Sequence, residues 1–546
     1  MKSLHEVQQE FLTSAYQFLL PEMVLIGVAC VLFLVAVIAP SRARALSFAM
    51  IGIIGAAVVT ALVSVEACRD VLGWQEISLF WKTVEGTPYY PRAVAPFDPT
   101  GPAAFVRWIA LGAAALFVLM SWSEVRDDNA CEYSACVLIM AAGLSLVGRT
   151  NDLITTFLAL EMISIPTYVL LYLPAHSKAG SEAAVKYFLL SILSSAILLF
   201  GFSYLYGLTG TTNIGAIVDV LNDAHKSTVS PMALIAMVMV IAGIGFRITA
   251  VPFHFYAPDV YEGGPTGVIA QLAYVPKVAG FLALARILGM LYPPINQLPF
   301  DANSTLIPLT LWVLAVVTMT FGNLLALLQD NLKRMLAYSG IAHGGYMLMG
   351  LVVASSLADV KGGVEPNQVG LDSVLFYLVA YGLMTVGAFA VILHISGTTQ
   401  AAETIDDLAG LGQAHPLSAA LLGVFLCSLI GLPLTAGFVG KFLLFVGAID
   451  APTTASMKNM YRILVLIAAL NAAIGAVYYL RILGVMYLRS PLKPTEPARS
   501  YPALLAALVC AIATIGLGVY PKPLADAAKA AIPIQDDQPK SVVTRR

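Results

Sequence analysis

Charge is what this sequence is short of. Of its 546 residues only 11% are Asp, Glu, Lys or Arg, while 59% are hydrophobic. A soluble domain of this length carries roughly 25% charged residues. The net charge of −2 gives no reason to expect nucleic acid or a strongly acidic partner. Paired cysteine motifs are missing as well. Cys30, Cys68, Cys131, Cys136, Cys427 and Cys510 are scattered, and the one near pair, Cys131 and Cys136, has neither CxxC nor ferredoxin spacing. They read as small apolar residues at helix positions. No GxGxxG opens a helix after a strand and no Walker loop is present. The chain itself is therefore not expected to hold a flavin, a nicotinamide or an iron–sulfur cluster. A cleavable leader is not expected either. Glu6, Gln8, Gln9 and Glu10 precede the first apolar run and no A-x-A site follows, so the first span should stay in the mature protein.

What the sequence has instead is long apolar runs, with a mean hydropathy of +0.83. Runs of roughly 18 to 28 residues recur from Pro21 to Tyr520, each long enough to cross a ~30 Å hydrocarbon core. The expectation is an all-α polytopic membrane protein of about fourteen spans, near 20–39, 46–66, 102–121, 132–148, 152–173, 182–207, 231–254, 265–290, 306–328, 335–354, 371–395, 416–447, 459–488 and 502–520. The longest piece outside them, 67–101, carries Trp74, Trp81, Tyr89 and Tyr90 and suits a cap at the membrane surface, where amphipathic rings collect. The tail beyond Tyr520 is expected to be mobile.

Loops that follow odd-numbered spans hold Arg42, Arg44, Arg126, Lys178, Lys333, Arg334, Arg489, Lys493 and Arg499. Short loops on the other side hold Arg149, Lys226, Lys361 and Lys458. The bias places the odd-span loops in the cytoplasm.

An internal repeat is visible. Leu208-Thr-Gly-Thr-Thr-Asn follows the sixth span and Ile395-Ser-Gly-Thr-Thr-Gln the eleventh, and each leads into a short acidic segment, Ile217-Val-Asp219 or Thr404-Ile-Asp406. Each is then followed by an apolar helix interrupted by proline, at Pro252 and Pro433. An offset of five crossings turns one unit over relative to the other, as in the inverted repeats of ion transporters. The chain divides accordingly into 1–131 (first helices and aromatic loop), 132–290 and 306–488 (two inverted five-helix units), and 489–546 (last helix and polar tail).

Pro252 lacks an amide hydrogen and its ring opposes the carbonyl of Ile248; Pro433 does the same to Leu429. Both helices should open there, and the freed backbone groups must find partners, because lipid offers none. Charge gathers at the same places. The ionisable residues within spans are Glu161, Lys186, Arg247, Lys277, His343, His394 and Lys441, with Arg107, Arg286 and Arg481 nearer helix ends, where they read as snorkelling or structural. A carboxylate as deep as Glu161 needs a cationic neighbour to stay charged. Desolvation favours the neutral amine of a buried lysine, which lets such a group pass a proton on, and a chain of such groups is a proton relay. Lys186 lies about a turn and a half into its span and could instead reach the surface.

These residues carry a family resemblance. Phe246-Arg-Ile-Thr-Ala-Val-Pro-Phe-His-Phe-Tyr-Ala-Pro-Asp-Val-Tyr-Glu-Gly-Gly-Pro-Thr, Leu158-Ala-Leu-Glu-Met-Ile-Ser, Glu182-Ala-Ala-Val-Lys-Tyr-Phe, Asn331-Leu-Lys-Arg-Met-Leu-Ala-Tyr-Ser-Gly-Ile-Ala-His and Gly431-Leu-Pro-Leu-Thr-Ala-Gly-Phe-Val-Gly-Lys-Phe resemble subunit N of bacterial NADH–quinone oxidoreductase, respiratory complex I. The likeness spans roughly residues 100–490. It implies a proton-translocating subunit in the inner membrane, driven by quinone reduction elsewhere in the assembly. NADH, FMN, iron–sulfur clusters and quinone would then sit in partner subunits, beside the antiporter-like subunits M and L and the small subunits K, J and A. Position by position it assigns Glu161 to the fifth-span glutamate and Arg247 to its seventh-span basic partner. Lys186, Lys277 and Lys441 match lysines of the sixth, eighth and twelfth spans, and His254 and His343 match histidines of the pattern. One departure stands out: the family usually has lysine where this chain has Arg247. Arginine keeps an ion pair but does not release its proton. Two other readings stay open, a subunit of a cation/proton antiporter or membrane-bound hydrogenase, and a structural subunit whose path is closed by Arg247.

Overall fold

The computed structural model describes residues 4–64, 102–174, 178–221, 231–289, 306–355, 370–396, 402–451, 455–491 and 500–532. The aromatic segment 67–101, Cys68, Lys226, Lys361, Lys493 and Arg499 lie outside them. The described residues are almost wholly helical. In chain order the helices are α1 (Leu4–Ile38), α2 (Arg42–Ser64), α3 (Ala103–Glu124), α4 (Ala130–Val147), α5 (Leu153–Tyr172), α6 (Lys178–Thr209), α7 (Ile214–Leu221), α8 (Pro231–Arg247), α9 (Ala257–Gly263) and α10 (Thr266–Ile287). There follow α11 (Leu306–Leu327), α12 (Leu332–Ser355), α13 (Leu371–Ile395), α14 (Pro416–Ile430), α15 (Ala436–Asp450), α16 (Ala455–Leu488), α17 (Tyr501–Val519) and α18 (Lys522–Ala530). Among the described residues twelve helices are long and apolar enough to cross a membrane, and α8 and α14 are shorter apolar helices. Together they are the fourteen predicted crossings of a multi-pass membrane protein. In the tail, Lys522–Ala530 is helical, with Pro523 in its first turn, and residues 533–546 lie outside the described residues.

The centre of the bundle is α10, every residue of which is buried. Around it pack α12 and α13, both nearly enclosed, while α2, α6, α16 and α17 turn apolar residues such as Ile51, Leu193, Leu470 and Ile512 outward. Glycine sets two of the closest approaches. A Cβ at Gly243 would stand 2.7 Å from Leu198 Cβ, and one at Gly345 2.5 Å from the Met319 nitrogen. The pairs α8/α6 and α12/α11 therefore meet backbone to backbone, as membrane helices do at small residues.

The repeat has a structural counterpart. Asp152 caps α5 by accepting from the amides of Ile154 and Thr155, and Asn331 accepts from the Arg334 amide at the start of α12. Beside each cap the chain closes one antiparallel bridge, Asp152 with Asn213 and Asn331 with Thr404. The bonds match one to one: Leu153 to Thr212 and Ile214 to Asn151 in the first unit, Leu332 to Glu403 and Ile405 to Asp330 in the second. The second clip falls four residues beyond the sequence match of the two Gly-Thr-Thr segments, and Gly397–Gln400 of that match lie outside the described residues.

Both proline breaks are present. α8 stops at Arg247, and the chain turns through 248–256 before α9 resumes. α14 stops at Ile430 and α15 begins at Ala436. Each stump ends on a left-handed residue, Thr249 (φ 57°) or Gly431 (φ 92°). Each then returns an amide five residues back, Ala250 to Gly245 and Leu432 to Cys427. Glycine takes that conformation freely; a β-branched threonine is strained there.

Candidate functional site

At the first break, Arg247 is the last residue of α8 and Glu161 sits in the middle of α5. Arg247 Nη2 lies 2.8 Å from Glu161 Oε1, with Arg247 4% and Glu161 17% exposed at the side chain. Ser195 of α6 donates to the same carboxylate oxygen at 2.6 Å. Its other terminal nitrogen, Nη1, donates to Ser164 Oγ and to the Leu160 carbonyl at 3.2 Å, and Nε has no partner among the described residues. Three helices thus share one buried ion pair, as the sequence predicts for a deep carboxylate.

Lys186 is elsewhere. Its side chain is 40% exposed and pairs with Glu182 at 2.7 Å and Asp259 at 2.9 Å. Asp259, on α9, also accepts from Arg334 of the second unit at 2.7 Å, and Arg334 holds Glu262 at the same distance. Lys186 therefore belongs to a surface network that binds the short helix α9 to both units, and it reaches that surface as the lesser of its two readings allowed. Among the described residues no hydrogen bond or ion pair joins it to Lys277 or Lys441.

Lys277 is fully enclosed in α10. Its Nζ donates to the Gly340 carbonyl at 2.6 Å and to Tyr381 Oη at 3.2 Å. Tyr381 lies beside His343, ring centroids 5.5 Å apart. His343 Nδ1 is 2.6 Å from Tyr377 Oη, and its Nε2 3.3 Å from Tyr479 Oη, which bonds in turn to Ser339. Tyr346 stands edge-on to His343 at 5.7 Å and lies under the Lys441 ammonium at 5.2 Å. Lys441 Nζ donates to the carbonyls of Leu429 and Ile430 at 2.7 and 3.0 Å, so the groups freed at the second break are met by a cation. Lys277, His343 and Lys441 thus form one buried line through hydroxyl-bearing rings.

The other predicted residues fall outside that line. His254 is half-buried in the turn between α8 and α9, with Nδ1 unpartnered among the described residues. His394 bonds the Ser500 carbonyl at 2.9 Å, tying α13 to the start of α17. Arg107 is buried and paired with Glu22 at 2.7 Å, Ser145 also donating to that carboxylate. Arg286 bonds the Gly148 carbonyl, and Arg481 pairs with exposed Asp330. Arg107 and Arg286 are structural and do not snorkel.

The sequence reading passed over Glu22 and the tyrosines. Spacing held the signal: Ser339, His343 and Tyr346 at i, i+4, i+7 on α12, and Tyr377 and Tyr381 at i, i+4 on α13, each put one polar stripe on a buried face.

Comparison with known proteins agrees with this architecture. The family model described as NADH:quinone oxidoreductase/Mrp antiporter, transmembrane, matches residues 150–465. NADH-quinone oxidoreductase subunit N of Trichlorobacter lovleyi is 36% identical over 536 residues, covering 96% of this chain and 99% of that one. A chain of respiratory complex I from Thermus thermophilus with bound aureothin superposes with a TM-score of 0.70 at 29% identity, over 93% of this chain and 99% of its own. A chain of the Mrp complex from Dietzia sp. reaches a TM-score of 0.73 at 18% identity, over 94% and 97%, and shares the fold. Two broken helices and a buried lysine line thus define an antiporter-like membrane subunit. Within that class, the chain belongs to the NADH-quinone oxidoreductase subunit N family.

Proposed function

We propose that this chain is a proton-translocating subunit of a multi-subunit NADH–quinone oxidoreductase in a bacterial inner membrane. Electron transfer takes place in partner subunits that hold NADH, FMN, iron–sulfur clusters and quinone. Its membrane neighbours are the antiporter-like subunits M and L and the small subunits K, J and A. Residues 132–290 and 306–488 act as its two inverted units. The reading rests on one observation above the others: two buried lysines, Lys277 and Lys441, face one histidine through tyrosine rings.

A proton held on Lys277 leaves as the amine turns neutral. It crosses the Tyr381, His343, Tyr377 and Tyr479 hydroxyls and ring nitrogens, with water bridging where no direct bond exists. It is taken up by Lys441, which donates to the Leu429 and Ile430 carbonyls. Two like charges in one low-dielectric line repel, so one proton in transit excludes a second.

Arg247 keeps its proton and works as a fixed charge. It is the ion-pair partner of Glu161. His254 and Lys186 position the broken segment and the surface network; neither carries the proton across.

The test is proton pumping by reconstituted complex carrying Lys277→Ala or Arg247→Lys. The first substitution is expected to abolish this subunit's share of pumping and the second to preserve it. Full pumping by K277A overturns the assignment. Purification with flavin and iron–sulfur subunits is expected; sodium-dependent antiport without them supports the antiporter reading instead.

A further inference from the structure

A groove of about 830 Å³ opens on the flank of the bundle between α3, α10, α13, α17 and α18. One wall is a single face of α3, where Trp108, Gly112, Leu116 and Leu119 follow at helical spacing. From Ala104 to Leu119 this wall is ~22 Å long, at ~1.5 Å per residue. One leaflet of a ~30 Å hydrocarbon core is ~15 Å deep, so the groove is long enough to cross a whole leaflet. Tyr274 of α10 and Gly382 of α13 lie on its inner side.

The outer end is roofed by α18, which follows α17 and packs on α13. Leu524, Ala527 and Ala531 line the groove, while Lys522, Asp526 and Lys529 are exposed. An apolar face on one side and charges on the other mark a helix that lies in the membrane interface, with acyl chains under its apolar face. Trp108, 49% exposed near the start of α3, has the ring type that collects at that depth. The middle of the groove is open, since a Cβ at Gly112 would meet nothing within 4 Å. A space lined by apolar groups stays dry and takes apolar guests.

Two features identify the guest. A transmembrane helix is ~10 Å across with its side chains and would have to continue past α18, whereas an acyl chain ends beneath it. Lys522 and Lys529 stand exposed on that roof, at the level where a lipid phosphate carries its negative charge. We propose that the groove is a phospholipid site, with acyl chain packed between α3 and α13 and the phosphate beside the lysines of α18. The site takes no part in the relay and touches it from behind. Gly382 follows Tyr381, the hydroxyl partner of Lys277, and a Cβ at Gly382 would stand 2.4 Å from the Tyr274 ring. A chain in the groove therefore backs the contact between α10 and α13.

The experiment reconstitutes the intact complex in vesicles of phosphatidylethanolamine and phosphatidylglycerol, part of the latter carrying a diazirine on its acyl chain. Loosely held lipid is washed out with detergent before irradiation, and labelled peptides are mapped by mass spectrometry. Label is expected on 104–119 and 379–386, severalfold above that on outward residues such as Leu193 and Leu470. Gly112→Phe, which fills the open middle, is expected to lower the groove label severalfold and leave the outward label unchanged. Should G112F not assemble, Ala527→Phe carries the same readout. The double variant K522E/K529E is expected to lower the groove label as well; no change there overturns the placement of the phosphate. Groove label no higher than outward label, or untouched by the filling variant, overturns the site. So does cross-linking of a Gly112→Cys variant to a neighbouring subunit or to residues 67–101, or a quinone retained there in place of phospholipid.

Discussion

The ammonium of Lys441 lies 2.7 Å from the carbonyl of Leu429, the one that Pro433 cannot meet because it has no amide hydrogen. Sequence places these residues twelve apart, on either side of a helix break, and the fold closes the distance by packing α15 against the stump of α14. The cation and the break are thus a single device, and losing either should disturb both.

Lys441→Met keeps the length of the side chain and removes its charge. It leaves the Leu429 and Ile430 carbonyls buried without their donor, at roughly 1–3 kcal/mol. A lower melting temperature of the assembled complex is expected, with pumping through this subunit lost while NADH oxidation continues. Protons translocated per electron in vesicles, measured beside the melt, check both halves.

Gly340 lies against the same line from the other side. A Cβ there would stand 2.7 Å from both Lys277 Nζ and Tyr381 Oη, closer than real contacts allow. Gly340→Ala should therefore push the ammonium off its carbonyl and hydroxyl partners. The expected outcome is pumping reduced severalfold in a complex that still assembles; unchanged stoichiometry would show that the lysine position is not critical.

The Glu161–Arg247 pair separates charge from proton exchange. Glu161→Gln strips Arg247 of its counter-charge inside the membrane, and breaking a buried pair costs roughly 3–5 kcal/mol. Arg247→Lys keeps the charge and loses the second guanidinium branch, which now reaches Ser164 and Leu160. Thermal stability should fall much more for E161Q than for R247K, and pumping should follow the same order.

Lys186 predicts a smaller effect. Its partners Glu182 and Asp259 are exposed, and screened surface pairs contribute little. Lys186→Ala should lower pumping less than K277A. Because α9 is held only partly by this network, the deficit should grow as salt is raised and the Arg334 pairs weaken. Pumping titrated against ionic strength tests this.

Much of this architecture is legible in the chain. Apolar length gave the crossings, prolines 252 and 433 gave the breaks, and the scarcity of charge made Glu161, Lys277 and Lys441 conspicuous. Depth along a helix is readable because it is counted in residues. Facing is harder, since it depends on which neighbour packs where. Lys186 sits at a depth that suggested burial, yet its α6 face turns outward beside Asp259. Arg107 sits near a helix end, yet it is enclosed because Glu22 of α1 packs against it. The tyrosines around His343 escaped notice because aromatic residues are ordinary in apolar helices, and only their convergence from α12, α13 and α16 makes them a path.

The two stumps have a further consequence. α8 and α14 are separated by five crossings and run through the bilayer in opposite senses; the stump of α14 gives carbonyls to Lys441, whereas Arg247, at the end of α8, reaches across to Glu161, Ser164 and Leu160 of α5. A voltage across the membrane acts on a full charge with up to about 2.3 kcal/mol per 100 mV. Lys441 meets that field against backbone carbonyl dipoles, whereas Arg247 meets it against the full counter-charge of Glu161. The two breaks therefore answer voltage differently: the second carries, when Lys441 is protonated, a net charge that the field can pull, and the first a neutral ion pair.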